Sequence, residues 1–137
     1  MKATAHIIEL RNSDAPPSLA TLLKAAGDPF RLNILRVMAQ DSFSVSELCD
    51  IFSTRQSALS HHLKILIEAG LLSRKKEGTA TYYRRALPVG TLAPLHEEIL
   101  LSVDAEQLSK PLAQGVIRVQ KQREDNSLAF FKGHLAR

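Results

Sequence analysis

Residues 53–85 read STRQSALSHHLKILIEAGLLSRKKEGTATYYRR, and within them the apolar period changes. Leu59, Leu63, Leu66 and Ile67 stand at i, i+4, i+7 and i+8, which predicts a helix over 54–69 with one buried face. Ser53 followed three residues later by Gln56 predicts a capping box, and Gly70 suits the C′ position. Beyond Gly70 the pattern alternates. Two strand-like runs, with Thr79, Thr81, Tyr82 and Tyr83 favouring extended backbone, flank a Glu77-Gly78 turn and predict a hairpin.

The chain on either side supplies more helices. Leu19, Leu22, Leu23 and Ala26 recur at helical spacing between a capping Ser18 and a terminating Gly27. Asp28 is a good N-cap and Pro29 suits the first helical position, where its missing N–H is not needed. Leu32, Ile34, Leu35 and Met38 then give a buried face. Residues 44–52, SVSELCDIF, predict a short helix capped by Ser44 or Ser46, with Val45, Leu48, Cys49 and Phe52 directed inward. After Pro88 and Gly90, Leu92, Leu95, Ile99 and Val103 form a stripe that suits either a dimer interface or a core face. A break follows, then Ser109 and Pro111 open a last segment with Leu112, Val116 and Val119 about one turn apart.

Short helices followed by a hairpin, with helices at both ends, are the order of a winged helix-turn-helix: mainly α with a small β-hairpin. The expected organisation is a flexible arm over 1–16, a winged-helix DNA-binding domain over 17–108 and a helical extension over 109–137. In that architecture the second helix of the motif enters the major groove, and the hairpin rests near the neighbouring backbone.

Length and charge agree. A chain of 137 residues is about one domain long, 45% hydrophobic and 23% charged. No apolar run reaches the roughly 20 residues that span a bilayer, and residues 1–18 lack the apolar core of a secretory signal, so a cytoplasmic protein without membrane partners is expected. The net charge of +4 is unevenly placed: residues 54–85 hold seven positive and two negative residues, +5, and the remainder sums to −1. Concentration of positive charge in one segment suits a polyanion surface.

On the 54–69 helix, the face opposite the leucines carries Gln56, Ser57, Ser60, His61 and Lys64. Gln and Lys can read base edges, Ser can meet base or phosphate, and Arg55 is placed for phosphate. An ordinary solvated face would look similar. Arg74, Lys75, Lys76, Thr79 and Arg84 are the corresponding candidates on the hairpin. Of the adjacent histidines, His61 shares the polar face, whereas His62 lies at the edge of the apolar one. Neither has a second ligand one turn away, because the i±4 positions are Ser57, Ala58, Ile65 and Leu66.

Three of these pieces also resemble the ArsR/SmtB-type winged-helix repressors of bacteria, over about Leu19 to Leu87. LLKAAGDPFRLNIL is similar to the family's opening, with Asp28, Pro29, Arg31 and Leu32 as its Asp-Pro-x-Arg-Leu core. QSALSHHLKILIEAGLL resembles its recognition helix, in which Ser60, His62 and Leu63 occupy Ser-x-His-Leu, and the resemblance implies that His62 either supports the helix or meets a phosphate. RKKEGTATYYR is similar to its wing. The resemblance implies a homodimer, built by terminal helices, that binds an inverted-repeat operator in double-stranded DNA and is released by an inducer.

Many such proteins sense metals, and the ligand patterns are not retained. The arsenic-type Cys-x-Cys-x-x-Cys positions fall on Ser44, Ser46 and Cys49, and serine is a poor ligand for thiophilic metals. His96 with Glu97 and Glu98 is the nearest approach to the zinc-type pattern, but its i+3 and i+4 positions are Ile99 and Leu100. Completing a site would need His134 or His6 across a dimer. The one cysteine, Cys49, excludes an intrachain disulfide but could act alone as a redox sensor. Residues 118–131, RVQKQREDNSLAFF, resemble the linker that joins the winged helix to a methyltransferase domain in larger relatives, so a signal from sulfur or methyl metabolism is an open alternative.

The expected function is therefore a DNA-binding repressor released by a non-metal or unknown inducer, with a small molecule as one candidate, and with no cofactor. A metal- or redox-responsive repressor using Cys49 or His96, and a winged helix that binds protein rather than DNA, are the alternatives. No carboxylate pair, nucleophile–base spacing or glycine-rich phosphate loop suggests an enzyme.

Overall fold

The computed structural model describes residues 16–135. The arm expected over 1–16 lies, apart from Pro16, outside the described residues, as do His6 and the side chain of His134. Helices α1 (Leu19–Ala26), α2 (Pro29–Val37), α3 (Val45–Phe52) and α4 (Gln56–Glu68) precede strands β2 (Leu72–Glu77) and β3 (Ala80–Arg85), with a two-residue strand β1 (Phe43–Ser44) between α2 and α3. Helices α5 (Ala93–Asp104) and α6 (Lys110–Leu135) complete the fold. The sheet order is β1-β3-β2, antiparallel throughout.

Local chemistry accounts for most boundaries. Ser18 and Asp28 accept from the backbone N–H of Thr21 and Arg31, and Pro29 occupies the first turn of α2. Ser44 and Glu47 form a complete capping box on α3, which settles the choice between Ser44 and Ser46. At the end of α4, Gly70 has φ +75° and its N–H bonds Ile67 O while Leu71 N–H bonds Leu66 O, the Schellman closure that a Cβ-free residue favours. At the hairpin, Glu77 pairs with Ala80 across Gly78-Thr79. Gly78 has φ +62° and Thr79 is not left-handed, the arrangement of a II′-type turn.

The capping box expected at Ser53 is not formed. Ser53 instead takes a left-handed conformation (φ 50°) as the C-terminal residue of α3, where its N–H bonds Asp50 O, and Thr54 N–H bonds Cys49 O. Helix α4 starts two residues later than expected, at Gln56, with Arg55 at its N-cap and no side-chain cap. The turn between two packed helices needs the chain to reverse at Ser53, which removes Ser53 from capping range of the next helix.

The core is one cluster. Leu22, Ile34, Leu35, Phe43, Leu48, Leu59, Leu63, Leu66, Leu71 and Val119 are fully buried, and Leu92, just before α5, packs partly against them with Leu95 and Ile99 of α5. The first half of α6 lies along α3. Gly115 makes that approach possible, since a Cβ there would stand 3.1 Å from Ile51 Cα and 3.2 Å from its carbonyl oxygen. Arg123 then clamps α6 to the start of α3. Its guanidinium donates to both Glu47 carboxylate oxygens (2.6 and 2.7 Å), to Asp41 (2.9 Å) and to Ser42 O (2.7 Å), and lies 5.0 Å from the Phe43 ring centroid. Burial pushes the Glu47 carboxyl up, but the Arg123 and Ser44 hydrogen bonds outweigh it and hold the group below its ordinary value.

Candidate nucleic-acid interface

Helix α4 has two distinct faces. Leu59, Leu63 and Leu66 are fully buried, whereas Gln56, Ser57, Ser60, His61 and Lys64 are all exposed, with Arg55 exposed just before them. Exposure of every polar candidate on one side of a helix whose other side is locked into the core gives that face a fixed orientation. His62 is different. It is half-buried, its ring lies 4.8 Å from that of Phe30, and its Nδ1 is 3.1 Å from Arg31 Nη1. Desolvation is the main cause of a lowered His62 pKa; Asp28 opposes it, and Arg31 and His61 add to it.

Arg74, Lys75, Lys76, Thr79 and Arg84 on the hairpin are also exposed. Register separates them. Lys75 lies opposite Tyr82 and Ser73 opposite Arg84, so Lys75 and Arg84 share one face of the ribbon; Arg74 and Lys76, opposite Tyr83 and Thr81, share the other. The four cations therefore do not form one contiguous surface. Lys75 has a weak exposed ion pair with Glu77 at 3.9 Å.

Arg85 belongs to the basic segment of the chain, but its charge is engaged internally. It donates to both oxygens of Asp104 (2.9 and 2.6 Å) and to Leu35 O (2.8 Å), fastening the end of the wing to α5 and α2. Asp104 is held below the usual carboxylate range, chiefly by the Arg85 hydrogen bonds and against some desolvation. A group with a lowered folded pKa adds stability above its unfolded pKa and loses it as pH falls through the folded one. Arg85→Ala is therefore expected to destabilise at pH 7 and to cost progressively less as the pH falls below the usual carboxylate range and Asp104 is protonated. Urea titrations at neutral and progressively more acidic pH check this, and a cost that does not diminish on acidification would assign the effect to the Leu35 hydrogen bond instead.

Among the described residues the sensing candidates are not gathered into one site. Cys49 is half-buried, and desolvation raises its pKa, which works against a reactive thiolate. His96 is buried with Nε2 lacking a hydrogen-bond partner, and desolvation lowers its pKa despite Glu97. Among the described residues no group of three or more His, Cys, Asp or Glu side chains could hold a metal ion. No helix among them is long and apolar enough to cross a membrane.

Known proteins share both the sequence and the fold. Residues 28–74 match the family model described as "Bacterial regulatory protein, arsR family". An HTH-type transcriptional regulator of Methanocaldococcus jannaschii is 43% identical over 65 residues, covering 47% of this chain and 73% of that one. The chain belongs to the arsR family. The arsenical resistance operon repressor of Bacillus subtilis is 43% identical over 61 residues, 44% of this chain and 58% of the repressor. Among solved structures, HlyU from Vibrio cholerae superposes with a TM-score of 0.51 at 32% identity, over 64% of this chain and 91% of that one. This arsR-family chain is a transcriptional regulator with a winged-helix fold, not an enzyme.

Two tertiary pairings are invisible in the chain order. Arg31 stands out in the Asp-Pro-x-Arg-Leu motif, but its partner 31 positions away does not. Arg85 reads as one more cation of the wing, because nothing local marks Asp104 as its partner.

Proposed function

We propose that the protein is a homodimeric repressor that binds an inverted-repeat operator through α4 and the wing. The observation that carries this is the exposed row Gln56, Ser57, Ser60, His61 and Lys64 on a helix anchored by Leu59, Leu63 and Leu66. Two such helices in a two-fold dimer would enter successive major grooves about 34–36 Å apart. Leu19 and Leu23 of α1, each 50% exposed, and a groove of about 370 Å3 between α2 and α5 lined by Leu32, Leu95 and Ile99 support pairing through α1 and α5.

The inducer in this reading is a non-metal small molecule. Positions where arsenic-type relatives place thiolates hold Ser44 and Ser46, and Cys49 is a desolvated thiol. A cleft of about 500 Å3 between α3, β3 and α6, lined in part by Ser46, Tyr82, Gln122 and Asn126, has the size of a small-molecule site. Fluorescence anisotropy on promoter fragments tests the whole reading. Tight binding to a palindromic fragment that weakens steeply with salt is expected, because released counterions mark phosphate neutralisation. No binding to any fragment even at low salt would favour a protein-interaction module, and release by Zn2+ or mild oxidant would favour a sensor built on His96 or Cys49.

The wing gives a sharper expectation. Changing Lys75 and Lys76 together to Ala should weaken binding equally on all sequences and flatten the salt slope by about one unit for each phosphate no longer neutralised. Because the two lie on opposite faces of the ribbon, the single changes should be unequal. An unchanged slope in the double variant would remove the wing from the interface.

A further inference from the structure

Arg31 is a buried cation with three acceptors. Its Nε donates to Ala25 O at 2.9 Å and Nη2 to Lys24 O at 3.0 Å, which ties it to the C-terminal turn of α1. The third partner is His62 Nδ1, 3.1 Å from Nη1. Guanidinium nitrogens only donate, so Nδ1 must be the acceptor here and carries no hydrogen. A neutral imidazole has one N–H, and here it is left on Nε2. Phe30 holds the ring from one side at 4.8 Å, and Phe30 is itself packed on Phe52 at 5.0 Å. His62 is only half-buried, and its Nε2 is not among the buried nitrogens that lack a partner.

We propose that Arg31 is a positioning residue: it sets His62 in the Nε2–H tautomer, so that α4 presents a neutral N–H donor for a phosphate oxygen of the duplex. This rests on the reading of α4 as the recognition helix. A phosphate is the partner because His62 lies at the margin between the buried and exposed faces. That margin borders the groove-facing row of Ser57, His61 and Lys64 rather than belonging to it. Protonation would give Nδ1 a hydrogen aimed at a guanidinium and break the hydrogen bond. The titratable groups facing the ring are Arg31 and Asp28 from the α2 side and His61 from its own helix; burial, Arg31 and His61 favour the neutral ring against the pull of Asp28. Arg31 also links α1 to α4, so a displacement of α1 would reach the donor through one side chain.

The nitrogen-15 NMR spectrum of the imidazoles in the free, full-length protein tests the first half without DNA. At neutral pH the His62 signals should be those of a neutral ring protonated on Nε2, and Arg31→Lys should let the other tautomer appear. An Nδ1–H or doubly protonated ring in the unaltered protein would overturn the assignment. For the second half, His62→Ala should weaken operator and scrambled duplex alike by about tenfold, the effect of one charge-assisted hydrogen bond. His62→Gln, whose amide nitrogen can stand near the Nε2 position, should restore most of the affinity, and His62→Asn should not. Weakening confined to the operator would mean a base contact and overturn the phosphate assignment. If His62→Ala binds normally while His61→Ala and Lys64→Ala do not, this proposal fails and the recognition-helix reading stands; if none of the three weakens binding, that reading itself fails.

Discussion

Truncating Phe43 to alanine is expected to remove about 3–5 kcal/mol of unfolding free energy. Phe43 is the largest fully buried side chain among the described residues. It lies at the junction of three elements: its backbone pairs with Tyr83 of the wing, its ring lies under the Arg123 guanidinium of α6, and α3 begins two residues later. Neighbours anchored in separate elements cannot collapse together into the void, so the cavity penalty adds to the forfeited transfer energy. Urea denaturation should show a lower midpoint with an unchanged slope. A destabilisation below about 1 kcal/mol, the centre of the distribution for all point substitutions, would place Phe43 outside the core. The same variant should also bind DNA with a weaker wing contribution, because β1 pairs with β3 and leads directly into α3.

The second large effect concerns recognition rather than stability. Ser60→Ala and His61→Ala should each cost about 1–3 kcal/mol of operator binding if each touches a base edge, and together they should bring the operator close to the affinity of a scrambled duplex. Both side chains are exposed, so their removal should leave unfolding free energy within about 0.5 kcal/mol of the parent. That separation is the useful part. Reduced affinity with retained stability assigns the face to the groove, and a parallel fall in both would mean that the helix itself has been disturbed. Lys64 should behave differently from Ser60. Because it is a cation, its replacement by Ala should weaken specific and non-specific duplexes together and reduce the salt slope.

Several features were legible because one or two turns of chain contain all the chemistry that produces them. The leucine stripe of α4, the Asp28-Pro29 start of α2, the Gly70 closure and the Gly78 turn each arise from residues close together in the chain. Ser53 shows where such reasoning stops. Ser53 and Gln56 have the right spacing for a capping box, but Ser53 must also end α3, and the left-handed conformation needed there overrode the local motif. Likewise β1 has only two residues and no alternating pattern; it exists because β3, far along the chain, offers an edge.

The sequence alone therefore determined the winged-helix order, the face of α4 turned away from the core and the excess of positive charge around it. The first two follow from periodicity and the third from a count of charges, and both are properties of residues close together in the chain. Tertiary structure decided which charges remain available. Arg85 looks like Arg84 in the chain, yet one is bound by Asp104 and the other is exposed. Arg31, Arg123 and His62 took their roles in the same way, from carboxylates, carbonyls and a ring brought alongside by packing. Long side chains reach further than the local pattern extends. What a cation does is set by the element that folding places beside it.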